Sequence, residues 1–271
     1  MQMYSGTTLR QLKYFDAWFG AHQKIDRVAR RHLEKIMPDA PFPTRKEILK
    51  FEGLDGPDGI KRKATAQGEP KHFFDPENAA SGSDLLATIN SHYRQLVGAL
   101  QNGNKTRASF EAAWLAHAVV DGLTPAHHYP YEKEIVRLRG GLTDEDVSGA
   151  AEKLIMAGDS LAEKLSNNWQ MWGDRGLLAM HLAFEWGIAI MILPLRLTRA
   201  LPSDDELVRK QTIEQLFTER AKSVNDLQLY EKFHEAGWTP KLSKVVRRQL
   251  MPTIVNTVTL IWYWAAQEAR A

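Results

Sequence analysis

The sequence contains no cysteine among its 271 residues. This absence excludes disulfide bonds, thiolate metal ligands and cysteine nucleophiles, so any metal ion must be bound by histidine and carboxylate side chains. An excess of either sign of charge is also absent, because 35 basic and 33 acidic residues leave a formal net charge of only +2. So small a charge argues against a surface dedicated to nucleic-acid binding.

Residues 1–20 lack the apolar core of a signal peptide. The chain as given is therefore expected to be cytoplasmic, or secreted or periplasmic if a leader has been removed. Strand patterns are missing too, whereas apolar residues recur at helical spacing along most of the chain. With no convincing linker or repeat, the sequence predicts one all-α domain over residues 1–271, a multi-helix bundle with a metal-binding cleft.

One predicted helix carries two metal-binding side chains on an apolar face. His117 and Asp121 are one turn apart, and the same face includes Trp114. Gly122 is expected to end this helix in the left-handed conformation that glycine tolerates. A Thr-Pro pair then predicts the start of a new helix, which brings His127 close to the end of the first.

A second informative helix is predicted between Arg175 and Arg199, where His181 and Glu185 are again one turn apart. Its length and apolarity resemble a membrane span, for which about 20 apolar residues suffice. The acid, the histidine and Pro194 favour instead the central helix of a soluble bundle, without a transmembrane segment. A protonated, hydrogen-bonded Glu185 is one explanation, but a bound metal ion accounts for both residues.

The remaining helices are predicted at residues 8–37, 45–50, 83–100, 142–167, 205–222, 223–235 and 240–269. Between the second and third of these lies a segment rich in glycine, proline and charge, which includes Asp55, Asp58 and His72. Long irregular segments inside compact domains are often functional. Aspartates beside glycine are also common turn formers, and His72 also fits a solvated loop.

The ordered histidines and acids resemble the bacterial zinc-dependent phospholipase C family, within the phospholipase C/P1 nuclease superfamily. The motifs that carry the resemblance are His72-Phe-Phe-Asp-Pro, His117-x3-Asp121-x5-His127 and His181-x3-Glu185. That superfamily is all-α and holds three zinc ions in a cleft. The resemblance covers the chain from His22 to Glu185.

The resemblance implies the ligands of each zinc ion. The first ion would take Asp58, His72, His117 and Asp121; the second His127, His181 and Glu185; and the third His22 and the bridging Asp121. Asp55 is the alternative to Asp58, and His128 is the alternative to His127, although the x5 spacing favours His127. By analogy, Asp58 is also the candidate catalytic general base.

One departure concerns the third ion. In the family this ion also binds the amino group and carbonyl of the mature N-terminal residue, whereas Met1 here lies upstream of His22. Trp18 resembles the mature start of P1-type nucleases but is internal. Either the chain is processed just before Trp18, or the third site is altered or empty, so two or three zinc ions are expected.

The implied function is a phospholipase C-like, zinc-dependent phosphoester hydrolase in which a zinc-bound hydroxide attacks phosphorus. Glu185, rather than an aspartate, favours the phospholipase branch and a phospholipid substrate. One alternative is a P1-type nuclease that acts on single strands, and another is a non-catalytic, metal-stabilised binding module. A di-iron bundle would need repeated Glu-x-x-His motifs, of which Glu231 to His234 is the only match.

Overall fold

The structure is a computed structural model that describes residues 20–52, 56–57, 73–78, 83–143, 146–147 and 155–271. These ranges contain helices and no strand, which confirms the all-α prediction. The α-helices are α1 (Ala21–Ile36), α2 (Arg45–Ile48), α3 (Ser83–Gln101), α4 (Lys105–Gly122), α5 (Tyr131–Leu138), α6 (Leu161–Trp172), α7 (Leu177–Ile192), α8 (Asp204–Val208), α9 (Ile213–Asn225), α10 (Leu229–Ala236), α11 (Pro240–Val245) and α12 (Met251–Glu268). Short 3₁₀ helices span Leu49–Phe51, Pro125–His128 and Thr198–Ala200, and a π-helical turn spans Val246–Leu250.

Helix α12 forms the centre of the hydrophobic core, with α1, α3 and α4 packed around it. Its Trp262 is fully buried, and the indole Nε1 donates a hydrogen bond to the Ala112 carbonyl of α4 at 3.1 Å. The bond satisfies the one polar atom of a side chain that otherwise contributes apolar area to the core. This contact fixes α4, the helix that carries His117 and Asp121, against the centre of the bundle.

Helices α3 and α4 form an antiparallel hairpin. The turn between them has Gly103 in the left-handed region at φ 62°, and Asn104 caps α4 by accepting a hydrogen bond from the Arg107 amide. Glycine reaches this φ at little cost. Across the hairpin, His92 of α3 contacts Glu111 of α4. The pairing sets the register in which α3 faces the metal-binding side of α4.

The expected role of Gly122 is wrong. It is the last residue of α4 and is absent from the residues with positive φ, so it does not form a left-handed cap. A Cβ atom at this position would lie 2.5 Å from Phe217 Cζ and 2.6 Å from Leu85 Cδ2. Glycine is needed here because α3 and α9 pack directly against the end of α4.

Three predicted helix ranges are also wrong. The predicted helix over 205–222 is interrupted, because residues 209–212 are not helical and separate α8 from α9. An unbroken helix over 8–37 is excluded because Gly20, at φ 145° and ψ 154°, is not helical, so α1 begins at Ala21; residues 8–19 lie outside the described part. No single helix covers 142–167, because the described residues between Leu142 and Ser160 are not helical and α6 begins only at Leu161. Asn168 stabilises this arrangement by bonding both the amide and the carbonyl of the Met156 backbone.

The last predicted helix is not uniform either. Its first turns, α11, lead into the π-helical turn, and α12 follows with Pro252 near its start. Proline has no amide hydrogen and its ring crowds the preceding turn, so a local widening of the helix accommodates it.

The stretch Leu161–Ile192 is apolar and long enough by composition to cross a membrane, but half of its most apolar window is buried. It consists of two helices, because α6 ends at Trp172 and α7 starts at Leu177. The buried face of α7 carries His181 and Glu185, whereas its opposite face exposes Trp186. The buried face is thus part of the protein interior.

Candidate metal centre

Asp121, at the end of α4, lies between three histidines from three separate elements. Its Oδ1 is 3.3 Å from His22 Nε2 and 3.9 Å from His127 Nδ1, and its Oδ2 is 3.4 Å from His117 Nε2. All four side chains are buried. The carboxylate therefore connects two groups of candidate metal ligands, which we call the first and the second cluster.

The first cluster consists of His22, Glu52 and His117. One candidate ligand atom from each lies within 4.8 Å of the others. The imidazole rings of His22 and His117 stack with centroids 4.0 Å apart, and His117 Nδ1 is 3.5 Å from Glu52 Oε2. Helix α1, the end of the first 3₁₀ helix and α4 thus each supply one buried ligand.

A second acid, Asp26, lies beside the first cluster. It follows His22 by one turn of α1 and is buried, and its two carboxylate oxygens have no hydrogen-bond partner among the described residues. Burial and the neighbouring Glu52 carboxylate raise the pKa of Asp26 well above its usual value, although His117 acts in the opposite direction. Unpaired buried carboxylates are unfavourable unless a proton or a cation neutralises them.

The second cluster consists of His127, His181 and Glu185, and its candidate ligand atoms also lie within 4.8 Å of one another. Glu185 Oε1 is 3.1 Å from His127 Nε2 and 2.9 Å from His181 Nε2. The two imidazole rings are nearly parallel, 11° apart, with centroids 5.3 Å apart. The edge of Tyr131 packs against His181 and closes one side of the cluster.

The 3₁₀ helix after α4 is what brings His127 into the second cluster. Pro125 is in its first turn, as predicted, and the His127 amide donates to the Thr124 carbonyl at 2.8 Å. The Thr124 hydroxyl does not cap this helix, as had been expected, but donates to the Val120 carbonyl of α4. The Phe74 amide donates to the His127 carbonyl at 3.2 Å, which holds the turn from the other side.

Asp121 and Glu185, each of which faces more than one imidazole, are anionic at neutral pH. Burial alone would raise the pKa of Asp121, but the imidazoles, His117 foremost, outweigh it and hold the pKa well below its usual value. The same balance lowers the pKa of Glu185, for which His181 and His127 outweigh burial. Among the described residues, no lysine or arginine forms an ion pair with either carboxylate.

The structure distinguishes His127 from His128. The ring of His127 lies in the second cluster, whereas His128 Nε2 is 2.9 Å from the Gly122 carbonyl oxygen. Burial lowers the pKa of His128 to about 4, which leaves a neutral imidazole that can donate to that carbonyl. The x5 spacing therefore indicated the residue that the fold places in the cluster.

Other predicted ligands lie outside the described residues, namely Asp58 with its alternative Asp55, and His72. Two acids were missed, Glu52 and Asp26. Asp26 repeats the His-x3-acid spacing from His22 and could have been noticed. Glu52 follows a short 3₁₀ helix in a polar segment, where no periodic pattern marks it.

Buried imidazoles and carboxylates are the ligand types that zinc accepts in proteins. Each cluster offers two imidazoles and one carboxylate, so both clusters could hold a metal ion. No family model, curated protein or solved structure matches this chain. The chemistry of the clusters must therefore be inferred from their own residues.

A cavity of about 190 Å³ lies beside the first cluster. Among the described residues, its wall includes His92, Trp114, His117 and Asp121. Concave sites with a few converging polar groups are the usual places where small ligands bind. A ligand in this cavity would therefore contact the acid that connects the two clusters.

Proposed function

We propose that this chain is a zinc-dependent phosphodiesterase with phospholipase C-like activity. The observation that carries the proposal is the position of Asp121, whose carboxylate lies 3.3–3.9 Å from three buried histidines of two adjoining clusters. A carboxylate between two ligand groups is suited to bridge a pair of metal ions, and paired ions suit displacement at phosphorus.

The residues fit a pair of cations. Glu52, His117 and His22 would hold one ion and His127, His181 and Glu185 the other, with Asp121 between them. The two unpartnered oxygens of Asp26 leave further negative charge beside the first cluster. Zinc is the metal of choice because the donor set combines imidazole with carboxylate. The resemblance adds Asp58 and His72 to these ligands, and Asp58 as general base.

When bound, zinc lowers the pKa of a coordinated water to about 7 and supplies positive charge to phosphoryl oxygens. The protein's own contribution is to hold its histidines and acids in a buried, preorganised arrangement. Asp121 Oδ1 lies 3.3 Å from His22 Nε2 and its Oδ2 lies 3.4 Å from His117 Nε2, so one buried acid holds both imidazoles beside it. The adjoining cavity provides a partly enclosed space for the phosphodiester, where electrostatic stabilisation is stronger than in bulk water.

Phospholipid is the preferred substrate because Glu185 is the acid that the phospholipase branch carries at this position. The metal site alone does not separate a lipid from a nucleic acid, since both are phosphodiesters. Vesicles of mixed phosphatidylcholine, phosphatidylethanolamine and phosphatidylglycerol should therefore be assayed beside single-stranded DNA. Release of diacylglycerol supports the proposal, whereas release of nucleotides without diacylglycerol rejects the lipid substrate and supports the nuclease.

Metal content measured by mass spectrometry tests the site itself. We expect about two zinc ions per chain, a loss of both in Asp121→Asn, and a loss of one in Glu185→Gln. The control is Glu231→Gln, which removes an exposed acid from the Glu-x-x-His stretch of α10 and should leave both ions bound. Stoichiometric zinc without hydrolysis of any phosphodiester would refute the enzyme and support a metal-stabilised binding module.

A further inference from the structure

A second buried acid on α4, distinct from both clusters, holds a histidine at the cavity wall. Glu111 is fully buried, its Oε2 accepts a hydrogen bond from His92 Nδ1 at 2.6 Å, and its Oε1 pairs with Arg107 at 2.5 Å. A carboxylate is taken out of water only when such partners compensate for its lost hydration. The arrangement therefore fixes the His92 ring across the α3–α4 hairpin.

Because Nδ1 of His92 is engaged by Glu111, Nε2 is the nitrogen that remains for a ligand. Nε2 makes no hydrogen bond to any described residue, and the side chain keeps 15% of its surface exposed. The ring lines the same cavity as His117 and Asp121. A histidine with one nitrogen bound to a buried acid is held in one orientation, and a positioned imidazole is the commonest group for proton-transfer catalysis.

Trp114, which lines the same cavity, offers a further hydrogen-bond donor. Trp114 packs against His92 with ring centroids 5.7 Å apart, and its indole Nε1 is buried without an acceptor among the described residues. The indole nitrogen can only donate. A buried donor without a partner is unfavourable and calls for an explanation, and an oxygen-rich ligand such as a phosphodiester would supply the missing acceptor.

We propose that His92 is the proton donor to the leaving-group oxygen of the phosphodiester, with Glu111 as its positioning residue; this inference rests on the proposed function. As water oxygen bonds to phosphorus and the bond from phosphorus to the leaving oxygen breaks, that oxygen takes the proton from His92 Nε2. The proton released by the water returns to the imidazole. The net reaction is the addition of one water molecule across the ester bond.

The test compares poor and good leaving groups in the zinc-loaded protein. The pairs are phosphatidylcholine with p-nitrophenylphosphorylcholine, and thymidylyl-thymidine with thymidine 5′-p-nitrophenyl phosphate. An alkoxide needs a proton to leave and a nitrophenolate does not. His92→Gln should therefore reduce kcat by about 10²–10⁴-fold for the alkoxide substrates and by less than about tenfold for the nitrophenyl esters, with unchanged zinc content.

Glu111→Gln should show the same selectivity with a smaller loss, whereas His234→Gln, a histidine of α10 that stacks on Tyr129, should change neither rate. Histidine-selective ¹⁵N NMR of the metal-free protein gives a readout other than activity. At pH 8 we expect His92 to be protonated at Nδ1 in the wild type and to lose this preference in Glu111→Gln.

Equal losses on both leaving groups, or a wild-type ring protonated only at Nε2, would overturn the role of His92 while leaving the phosphodiesterase intact. A wild-type protein inactive on all four diesters would instead reject the proposed function, and the proton donor with it.

Discussion

Replacing Gly122 by alanine should destabilise the fold, although alanine is the better helix former. The gain in helix propensity is about 1 kcal/mol at most. Against it, the new Cβ would lie 2.5 Å from Phe217 and 2.6 Å from Leu85, side chains that are 0% and 1% exposed. Carbon atoms pack best about 3.5–4.0 Å apart, and overpacking of this kind costs about 1–3 kcal/mol. We expect a net loss of up to about 2 kcal/mol.

Gly98→Ala is the matched control. Gly98 lies within α3, and a Cβ there meets nothing within 4 Å. The same substitution should therefore stabilise the protein by about 0.5–1 kcal/mol. Urea unfolding of both metal-free variants, followed by far-ultraviolet circular dichroism, gives the free energies of unfolding. Their midpoints should shift in opposite directions relative to the wild type.

Two outcomes would contradict this reasoning. One is an increase in stability in both variants, which would mean that the end of α4 relaxes without strain. The other concerns the background Phe217→Leu, which removes the ring atom nearest the new methyl group. If the cost of Gly122→Ala is as large in that background as in the wild type, the ring contact is not its cause.

Three further predictions concern charge and metal. Zinc at about 100 times its Kd should stabilise the fold by about 2.7 kcal/mol, or roughly 5–10 °C in Tm; a smaller shift is expected in Glu185→Gln, and no shift in the wild type would contradict metal binding. The pKa of Glu206 is lowered because hydrogen bonds from Ser203 and Asn256 and the adjacent Arg220 outweigh its partial burial. Its stabilising contribution is thus present above the ordinary pKa near 4.5 and is lost as pH falls below it, so Glu206→Gln should flatten the acid limb of a stability–pH profile between about pH 5 and 3. Burial and the neighbouring Glu52 raise the pKa of Asp26 in the folded protein, so above pH 3.8 the unfolded chain ionises this carboxyl more readily and the free energy of unfolding falls. Asp26→Asn removes this effect and should therefore stabilise the metal-free protein at pH 7. A lower Tm of the variant in calorimetry would refute this.

Spacing along single helices was enough to find the core of the candidate site. His117 with Asp121 and His181 with Glu185 are one turn apart on apolar faces, and the fold buries both pairs. A helix places such residues side by side whatever surrounds it. Which pairs meet one another depends on packing, and the approach of His127 to Glu185 could be expected only through the family resemblance.

Features that depend on contacts between distant segments were not predictable. Glu52 lies close to His117 because a 3₁₀ helix ends beside α4, and no local sequence pattern predicts that these two segments meet. Gly122 suits a helix cap as well as a close contact, and only the side chains of other helices distinguish the two. The late start of α6 within the predicted 142–167 range is accompanied by bonds between the Asn168 side chain and the Met156 backbone, which are contacts that no helical pattern shows.

The order of the two clusters along the chain has a consequence for protein synthesis. The first cluster has all its side chains once His117 has been translated, whereas the second still lacks Glu185, which follows His127 by 58 residues. At a translation rate of about 5–20 residues per second, synthesis of the 58 residues from His127 to Glu185 takes roughly 3–12 s. A nascent chain thus passes through a stage in which it contains Asp121 and the ligands of the first cluster, while His127 has no acid to join.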